Sequence, residues 1–297
     1  MSDFLSYVAP LREVLLELAD AAQALGEPAS IPAADSRAMA EIAEVARYDG
    51  DLWTDSISSA LSIAGIVRFA ATDHLRGFGR LFADQPVPVY SHLVLARACL
   101  DACASVSWLS ATSITATARV QRYHVARLMN AKELKRSPIQ TSKHKGKAIQ
   151  TNVVAGAAEL GWNAFKDHPR IGNEEAPSPK SLLRTLLDDN DTFGVGAIGV
   201  SDILWWYLSG ATHSTSYALM QSIEPEEHPS PGLSDPMAAI STNGPSVVLI
   251  GLTIARGYVA MVEEHAELLG WQSNEWTMAR TKLQDVRRGL PRAQPES

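Results

Sequence analysis

The stretch His92-Leu-Val-Leu-Ala-Arg-Ala-Cys-Leu-Asp-Ala-Cys-Ala-Ser-Val-Ser-Trp-Leu-Ser110 is apolar almost all round. A helix that has no polar face is central to its bundle, because every side of it must be covered by a neighbour. Its exceptions are Arg97, Asp101 and Ser105, which follow one another at four-residue spacing. An unpaired buried charge is prohibitive in free energy, so we expect Arg97 and Asp101 to pair with each other or with neighbours.

Helical periods dominate the rest of the chain, and no segment shows a convincing strand pattern. We therefore predict an all-α protein, a single compact multi-helix bundle with central helices near 51–82, 92–110, 200–222 and 245–269. One domain is expected over residues 1–290. Within it we expect an acidic N-terminal helical subregion at 1–50 and a mobile basic loop at 137–152, and a disordered tail at 291–297 follows it.

The composition of the 297 residues is that of an ordinary soluble globular protein, with 46% hydrophobic and 20% charged side chains. The N-terminus has no basic segment followed by an apolar run, so no secretory signal is predicted. The most apolar window, Pro245–Val262, contains Arg256 and ends in Glu263-Glu264, which favours a core helix over a membrane span. We expect a cytoplasmic protein that does not contact a membrane.

Polar side chains follow one side of the apolar stretch 202–217, among them Asp202, Ser209 and His213. Residues three and four apart share a helix face. A buried polar group without a partner costs about 1–3 kcal/mol, so Ser209 and His213 require polar groups from other helices. The candidates are the Arg97–Asp101 pair and His74, which occupies a core position on a helix predicted to begin at Asp51.

These observations favour a small-molecule enzyme or binding protein with a buried Arg/Asp/His pocket between helices. Such a pocket would perform acid–base chemistry on an anionic or carbonyl-bearing, partly apolar metabolite. The predicted catalytic residues are His213, Asp101 and His74. The predicted substrate-binding residues are Arg97, Ser209, Tyr207, Trp206, Trp108 and Asp73. A satisfied polar network that only fixes helix register is the alternative interpretation of the same residues.

Four motifs resemble a family of all-helical bacterial proteins of actinobacterial type to which no activity is assigned. The motifs are Asp73-His-Leu75, Ala96-Arg-Ala-x-x-Asp101, the Arg-rich helix with Arg119 and Arg122, and Tyr207-Leu-Ser-x-x-x-His213. The resemblance covers roughly residues 50–220. Asp101 stands where that family usually has Glu, which shortens the carboxylate arm by one methylene. The resemblance implies the same residues and names no reaction.

The second hypothesis is a nucleic-acid-directed protein. Arg119-Val-Gln-Arg-Tyr-His124 has the Arg-x-x-x-x-His spacing of HEPN-type helical ribonucleases and toxins, in which the two residues act on a phosphodiester at a dimer interface. Residues 119–147 contain nine Lys or Arg and one Glu, in a chain with a net charge of -7. Phosphate contacts supply most non-specific affinity, so Arg119, Arg122, His124 and the basic run to Lys147 are the candidates.

Asp188-Asp-Asn-Asp191 resembles the aspartate-rich magnesium motif of terpene cyclases, with Trp205 and Trp206 as a hydrophobic lining for diphosphate chemistry in secondary metabolism, but the usual downstream partner motif is missing. The histidines show no zinc spacing, so no metal ligand is predicted, and the sequence names no cofactor. A structural bundle, including a homodimer, stays open.

Overall fold

The computed structural model describes residues 2–26, 31–83, 90–188, 200–213, 223–225, 240–242 and 244–289. The protein is an all-α compact helical bundle, as predicted. The helices are α1 (Ser2–Leu25), α2 (Arg37–Val45), α3 (Ser56–Arg80), α4 (Ser91–Ser110), α5 (Ala116–Arg136), α6 (Gln140–Glu159), α7 (Pro179–Asp188), α8 (Val200–Thr212), α9 (Gly244–Leu269) and α10 (Asn274–Gly289).

The main core gathers around α4, as its apolar surface predicts. Leu93, Leu100 and Val106 are fully buried in one cluster with residues of α1, α3, α7, α8 and α9. Helix α3 packs against α4 near Gly77, where an added Cβ would make ordinary van der Waals contact with a methyl group of Leu95, 3.4 Å away. Burial against these neighbours stabilises α4, because a helix that is apolar on all sides would be unfavourable at a solvent-exposed position.

Helices α4 and α9 are long and apolar enough to cross a membrane by length and composition alone. Within the bundle, however, 56% and 61% of their most apolar windows are buried against other elements. Core packing therefore accounts for their apolar character. The cytoplasmic location stays a prediction.

The predicted start of the helix near 51–82 is wrong. Residues 51–55 form a turn and α3 begins at Ser56. Asp55 adopts a left-handed conformation with φ 55° and makes no side-chain cap, and Asp51 lies outside the helix. The helix starts later than predicted because Leu52 and Trp53 are buried in two smaller hydrophobic clusters and not along the apolar side of α3.

The predicted mobile basic loop at 137–152 is also wrong, because α6 spans Gln140–Glu159 and packs antiparallel to α5 as a hairpin. Gly146 permits this contact: an added Cβ would lie 2.7 Å from the Ala131 carbonyl oxygen. Small residues at the interface let the two backbones approach closely. This helix has no apolar stripe long enough to be recognised in the sequence, since glycine and alanine replace large side chains there.

A three-stranded antiparallel sheet follows α6, where no strand was expected. It consists of β1 (Ala164–Phe165), β2 (Arg170–Ile171) and β3 (Glu174–Glu175), in the order β1-β2-β3. Two-residue strands carry too little alternation to be detected in a sequence. A second antiparallel pair joins β4 (Ile223–Pro225) to β5 (Ile240–Thr242).

Several predictions fall wholly or partly outside the described residues. The central helix near 200–222 is observed as α8 as far as Thr212, and residues 214–222 lie outside the description. The same holds for residues 189–191 of the aspartate-rich motif and for the tail at 291–297. The helix near 245–269 is observed as α9.

Candidate functional site

The predicted pairing of Arg97 with Asp101 is confirmed. Arg97 is 8% exposed, and its Nε donates to the Asp101 carboxylate over 2.7 Å. The Arg97 guanidinium also lies 3.5 Å from the centre of the Trp205 ring on α8, a cation–π contact. Burial raises the pKa of Asp101 and the charge of Arg97 partly offsets the rise. Trp205, rather than the predicted Trp206, therefore covers this pair.

The other members of the predicted pocket do not join that pair. His74 is half-buried and Asp73 is exposed on α3, and His213 is exposed in the turn that ends α8. Within the described ranges, neither histidine forms a hydrogen bond or an ion pair with Arg97 or Asp101. The assignment of His74 and His213 as one acid–base pair with Asp101 is therefore not supported by their positions.

The polar side of α8 faces outward, contrary to the prediction that it is buried. Leu204 and Leu208 fill the inner face, whereas Trp206 is 54% exposed. Asp202 pairs with Lys180 and Arg184 of α7, whose charges lower the pKa of its carboxyl group. Ser209 and Tyr207 are half-buried on the flanks. A polar stripe on an apolar helix indicates either a binding site or a solvent-exposed face. On α8 it is the solvent-exposed face.

The predicted ribonuclease pair is wrong as an accessible site. Arg119 is fully buried, with Nε 2.6 Å from one oxygen of Glu41 and Nη2 3.2 Å from the other. Arg119 also donates to the carbonyl oxygens of Leu109 and, over 2.9 Å, Ala111. A guanidinium engaged in this way cannot reach a phosphodiester in solvent.

Three arginines bind the end of α4. The last carbonyl groups of a helix lack partners within it. Arg122 donates to the Trp108 carbonyl over 2.7 Å, Arg119 to Leu109 and Ala111, and Arg37 to carbonyls in the following turn. Glu41 bridges Arg37 and Arg119. Arginine suits this role, because its planar fork donates to several acceptors at once and its charge complements the helix dipole.

His124 is likewise a structural residue. Its Nε2 lies 2.8 Å from the Leu52 carbonyl oxygen and 3.1 Å from Ser56 Oγ, and its Nδ1 lies 3.2 Å from Arg127 Nη1. The neutral ring donates at Nε2 and accepts at Nδ1 in this arrangement. Burial, followed by the charge of Arg127, lowers the pKa of His124 to about 4, against an opposing contribution from the bond to Leu52.

A cavity of about 480 Å³ lies beside this capped helix end, between α4, α5, α7 and α9. Its volume falls in the range of small-molecule sites. The lining residues are Ala104, Ser107, Trp108, Ala111, Thr112, Ser113, Arg122, Pro177, Ser181, Leu182, Thr185, Leu186, Ala260, Glu263, Glu264 and Glu267. The bonds from Arg37 and Arg119 therefore fix the turn that forms one wall.

The charge of the cavity comes mostly from α9. Glu263 pairs with Arg280 of α10, and Glu267 lies at the exposed rim. Glu264 has no ion-pair partner in the described part of the chain. Burial raises the pKa of Glu264. Contacts with Ser107 and the Thr112 backbone and the nearby charge of Arg119 oppose the rise, and Glu267 adds to it. The contact with Ser107 is loose, since its buried Oγ makes no hydrogen bond of regular geometry.

Arg122, the arginine that lines the cavity, already has a carboxylate partner. Arg122 Nε lies 2.8 Å from a carboxylate oxygen of Glu174, and its guanidinium lies 5.6 Å from the centre of the Trp108 ring. The sequence does not identify Glu263, Glu264 and Glu267 as site residues, because a pair of acids at the end of an apolar window indicates only that the window does not cross a membrane. Two adjacent acids on an otherwise apolar helix were the available signal. Nothing in the sequence pointed to Glu41 or Glu174.

No three His, Cys, Asp or Glu side chains converge as metal ligands anywhere in the described ranges. The glutamates of α9 therefore do not form a metal cage there. The arrangement instead offers an ionisable carboxylate, hydroxyl groups and apolar side chains, which are groups that bind an organic cation.

No family model, no curated protein and no solved structure matches this chain. The resemblance in the Asp-His, Arg-x-x-x-Asp and Tyr-Leu-Ser-x-x-x-His motifs consequently stays a prediction.

Proposed function

We propose that this protein binds a small, positively charged organic molecule in the cavity between α4, α5, α7 and α9. The observation that carries the proposal is Glu264, a largely buried carboxylate that lines the cavity and has no ion-pair partner among the described residues. The proposal keeps the small-molecule class expected from the sequence. It moves the site away from His213 and reverses the expected charge of the ligand.

The electrostatics favour a cation over an anion. A carboxylate taken out of water loses hydration, and a bound ammonium group replaces it by a charge-assisted hydrogen bond. Arg122 would be the group to attract an anion, but Glu174 already neutralises it. An anionic ligand would also meet the carboxylates of Glu264 and Glu267.

The remaining lining sets the rest of the ligand. Leu182, Leu186 and Trp108 provide apolar contact for a hydrocarbon segment, and the hydroxyl groups of Ser107 and Thr185 can bind a polar substituent. We therefore infer an amine with a short hydrocarbon backbone. The volume of about 480 Å³ fits a metabolite and excludes a folded partner.

The test is calorimetric titration with spermidine, and with succinate as an anionic comparison. Glu264→Gln keeps the side-chain shape and removes the charge, and we expect it to weaken spermidine binding at least about tenfold, the loss of one charged hydrogen bond. Glu159→Gln, at the exposed end of α6, is the matched control and should bind as the wild type does.

The pH dependence has a defined sign. A bound cation favours the ionised carboxylate, so affinity should rise with pH through the raised pKa of Glu264 and fall as the group is protonated. Unaltered binding by the Glu264→Gln protein, or spermidine binding that Glu159→Gln weakens equally, would show that the cavity is not the site. Thermal unfolding verifies that both variants fold.

A further inference from the structure

The far half of the α5–α6 hairpin and the adjoining small sheet form an exposed basic surface. Arg119 and Arg122 do not belong to this surface, since both pair with glutamates. The lysines beyond them are on or near the surface: Lys132, Lys135, Lys143, Lys145 and Lys147. In a chain with a net charge of -7, such a concentration of positive charge requires a reason.

Three of these lysines lie along one side of the hairpin. Lys143, Lys147 and Val154 recur at four and seven residues on α6 and so share a face. Lys135 of α5 reaches that face, because its Nζ bonds Gln150 Oε1 over 2.8 Å. Lys145 lies elsewhere, since two residues correspond to a turn of about 200° around the helix.

The same side continues into an open cavity against the small sheet. This cavity, of about 840 Å³, is lined by Val154 of α6 and Lys132 of α5. Lys132 Nζ donates to the Asp167 carbonyl over 3.3 Å, which joins the hairpin to the sheet. Its other charged and aromatic lining residues are Phe165, Lys166, Asp167, His168, Arg170 and Glu175.

Phe165 gives the surface a second property. Its ring is 53% exposed in β1 and lines the same cavity as Lys132 and Lys166, although an aromatic side chain gains free energy when it is covered. A row of cations beside an exposed aromatic ring is the combination that binds single strands, with phosphates on the cations and a base on the ring. Asp167 and Glu175 reduce the positive charge at the cavity, whereas Lys143 and Lys147 on α6 form no ion pair within the described part of the chain.

We propose that this surface, from Lys143 and Lys147 through Lys135 to Lys132 and Phe165, binds single-stranded nucleic acid. The phosphodiester backbone follows the lysines and one unstacked base packs on Phe165. The surface is separate from the cavity beside Glu264, so it stands independently of the amine proposal. It also replaces Arg119 and His124, which are buried, as the groups that meet nucleic acid.

The experiment is fluorescence anisotropy with the full chain and labelled 12-nucleotide oligouridine and oligothymidine. Affinity should fall with salt at a slope of about -0.7 for each phosphate contacted, close to -3 for four lysines. Lys147→Glu should weaken binding at least about fivefold, whereas Lys145→Glu, with the same change in charge, should change it less than about twofold.

The stacking contact has its own matched pair. Phe165→Ala should weaken binding about fivefold to a hundredfold, the range for one stacked base. Phe69→Ala, which removes a ring that is 62% exposed on α3, should leave affinity unchanged. Both rings are on the surface, so neither variant is expected to unfold.

Four results would overturn the proposal. Equal losses from Lys145→Glu and Lys147→Glu would reduce the effect to net charge. Wild-type affinity in Phe165→Ala would remove the stacked base. Equal affinity for a duplex of the same length, or binding to phosphatidylserine vesicles that Lys147→Glu abolishes while oligonucleotides fail to bind, would assign the surface to another partner.

Discussion

The two ends of α5 carry the same kind of charge and use it in opposite ways. Near the start, Arg119 is fully buried and Arg122 is partly buried, and both bind carbonyl groups at the end of α4 and pair with glutamates. Near the other end, Lys132 and Lys135 are exposed and contact neutral oxygens. A single basic run in the sequence therefore divides into an internal cap and an outer surface.

The difference follows from what each end packs against. The first turns of α5 meet a helix terminus with unpaired carbonyl groups, which a guanidinium can satisfy several at a time. The last turns pack on α6, where the close contact at Gly146 leaves no space for a lysine between the helices, and Lys132 contacts the edge of the small sheet. Positive charge by itself thus does not identify a binding surface. A binding surface is identified by exposed positive charge that no neighbouring carboxylate pairs with.

The largest effect should come from Arg119. Arg119→Met leaves Glu41 buried without its main partner and two carbonyl groups unbonded, so we expect a loss of about 3–5 kcal/mol in the free energy of unfolding. Urea denaturation measures it. The double variant with Glu41→Leu should recover part of the loss, because no lone charge remains. A loss below about 1 kcal/mol would erase the distinction between the two ends.

The second largest effect should come from lowering the pH, which protonates the buried His124 of α5. His124 has a pKa of about 4 in the folded protein, below its unfolded value, so the folded state binds fewer protons. Its contribution to stability is complete above pH 6.5 and is lost as pH falls towards 4, by up to about 3 kcal/mol.

His265, with a pKa of about 3, adds a similar loss, so His124→Gln should remove only part of the slope. Urea midpoints measured between pH 7 and pH 4 provide the check. A slope in the His124→Gln protein equal to that of the wild type would mean that folding does not lower the pKa of His124, contrary to its burial.

Gly146 tests the packing that exposes the lysines. Gly146→Ala places a Cβ 2.7 Å from the Ala131 carbonyl oxygen, and forcing the helices apart should cost about 1–3 kcal/mol. Gly65→Ala is the matched control on α3, where nothing lies within 4 Å of the added atom. That variant should gain about 0.5–1 kcal/mol from helix propensity alone. Equal changes in thermal stability would show that α6 does not rely on close contact.

The smallest effect belongs to the lysines. Lys145→Glu and Lys147→Glu should each alter the free energy of unfolding by less than about 0.5 kcal/mol, since both side chains are exposed. Thermal denaturation is sufficient to measure this. A large loss from either variant would place that lysine with Arg119 among the structural cations.

Part of the site was predictable from the sequence. The requirement that charges on an apolar helix find partners predicted the contact between Arg97 and Asp101. His213 was not predictable in the same way, because a polar stripe on a helix fits a pocket and a wet face equally well. The contacts of Leu204 and Leu208 with the core decide between them, and those contacts depend on where α4 lies.

The sequence by itself determined the helical class, the central place of α4 and the bounds of α9, because apolar periodicity and composition are local properties that packing must respect. Only the tertiary structure decided which charges are internal. Arg119 and Lys135 differ in burial because of groups more than ten residues away or on another helix, Glu41 and the α4 carbonyls on one side and Gln150 on the other. Long-range partners of this kind leave no period in the chain.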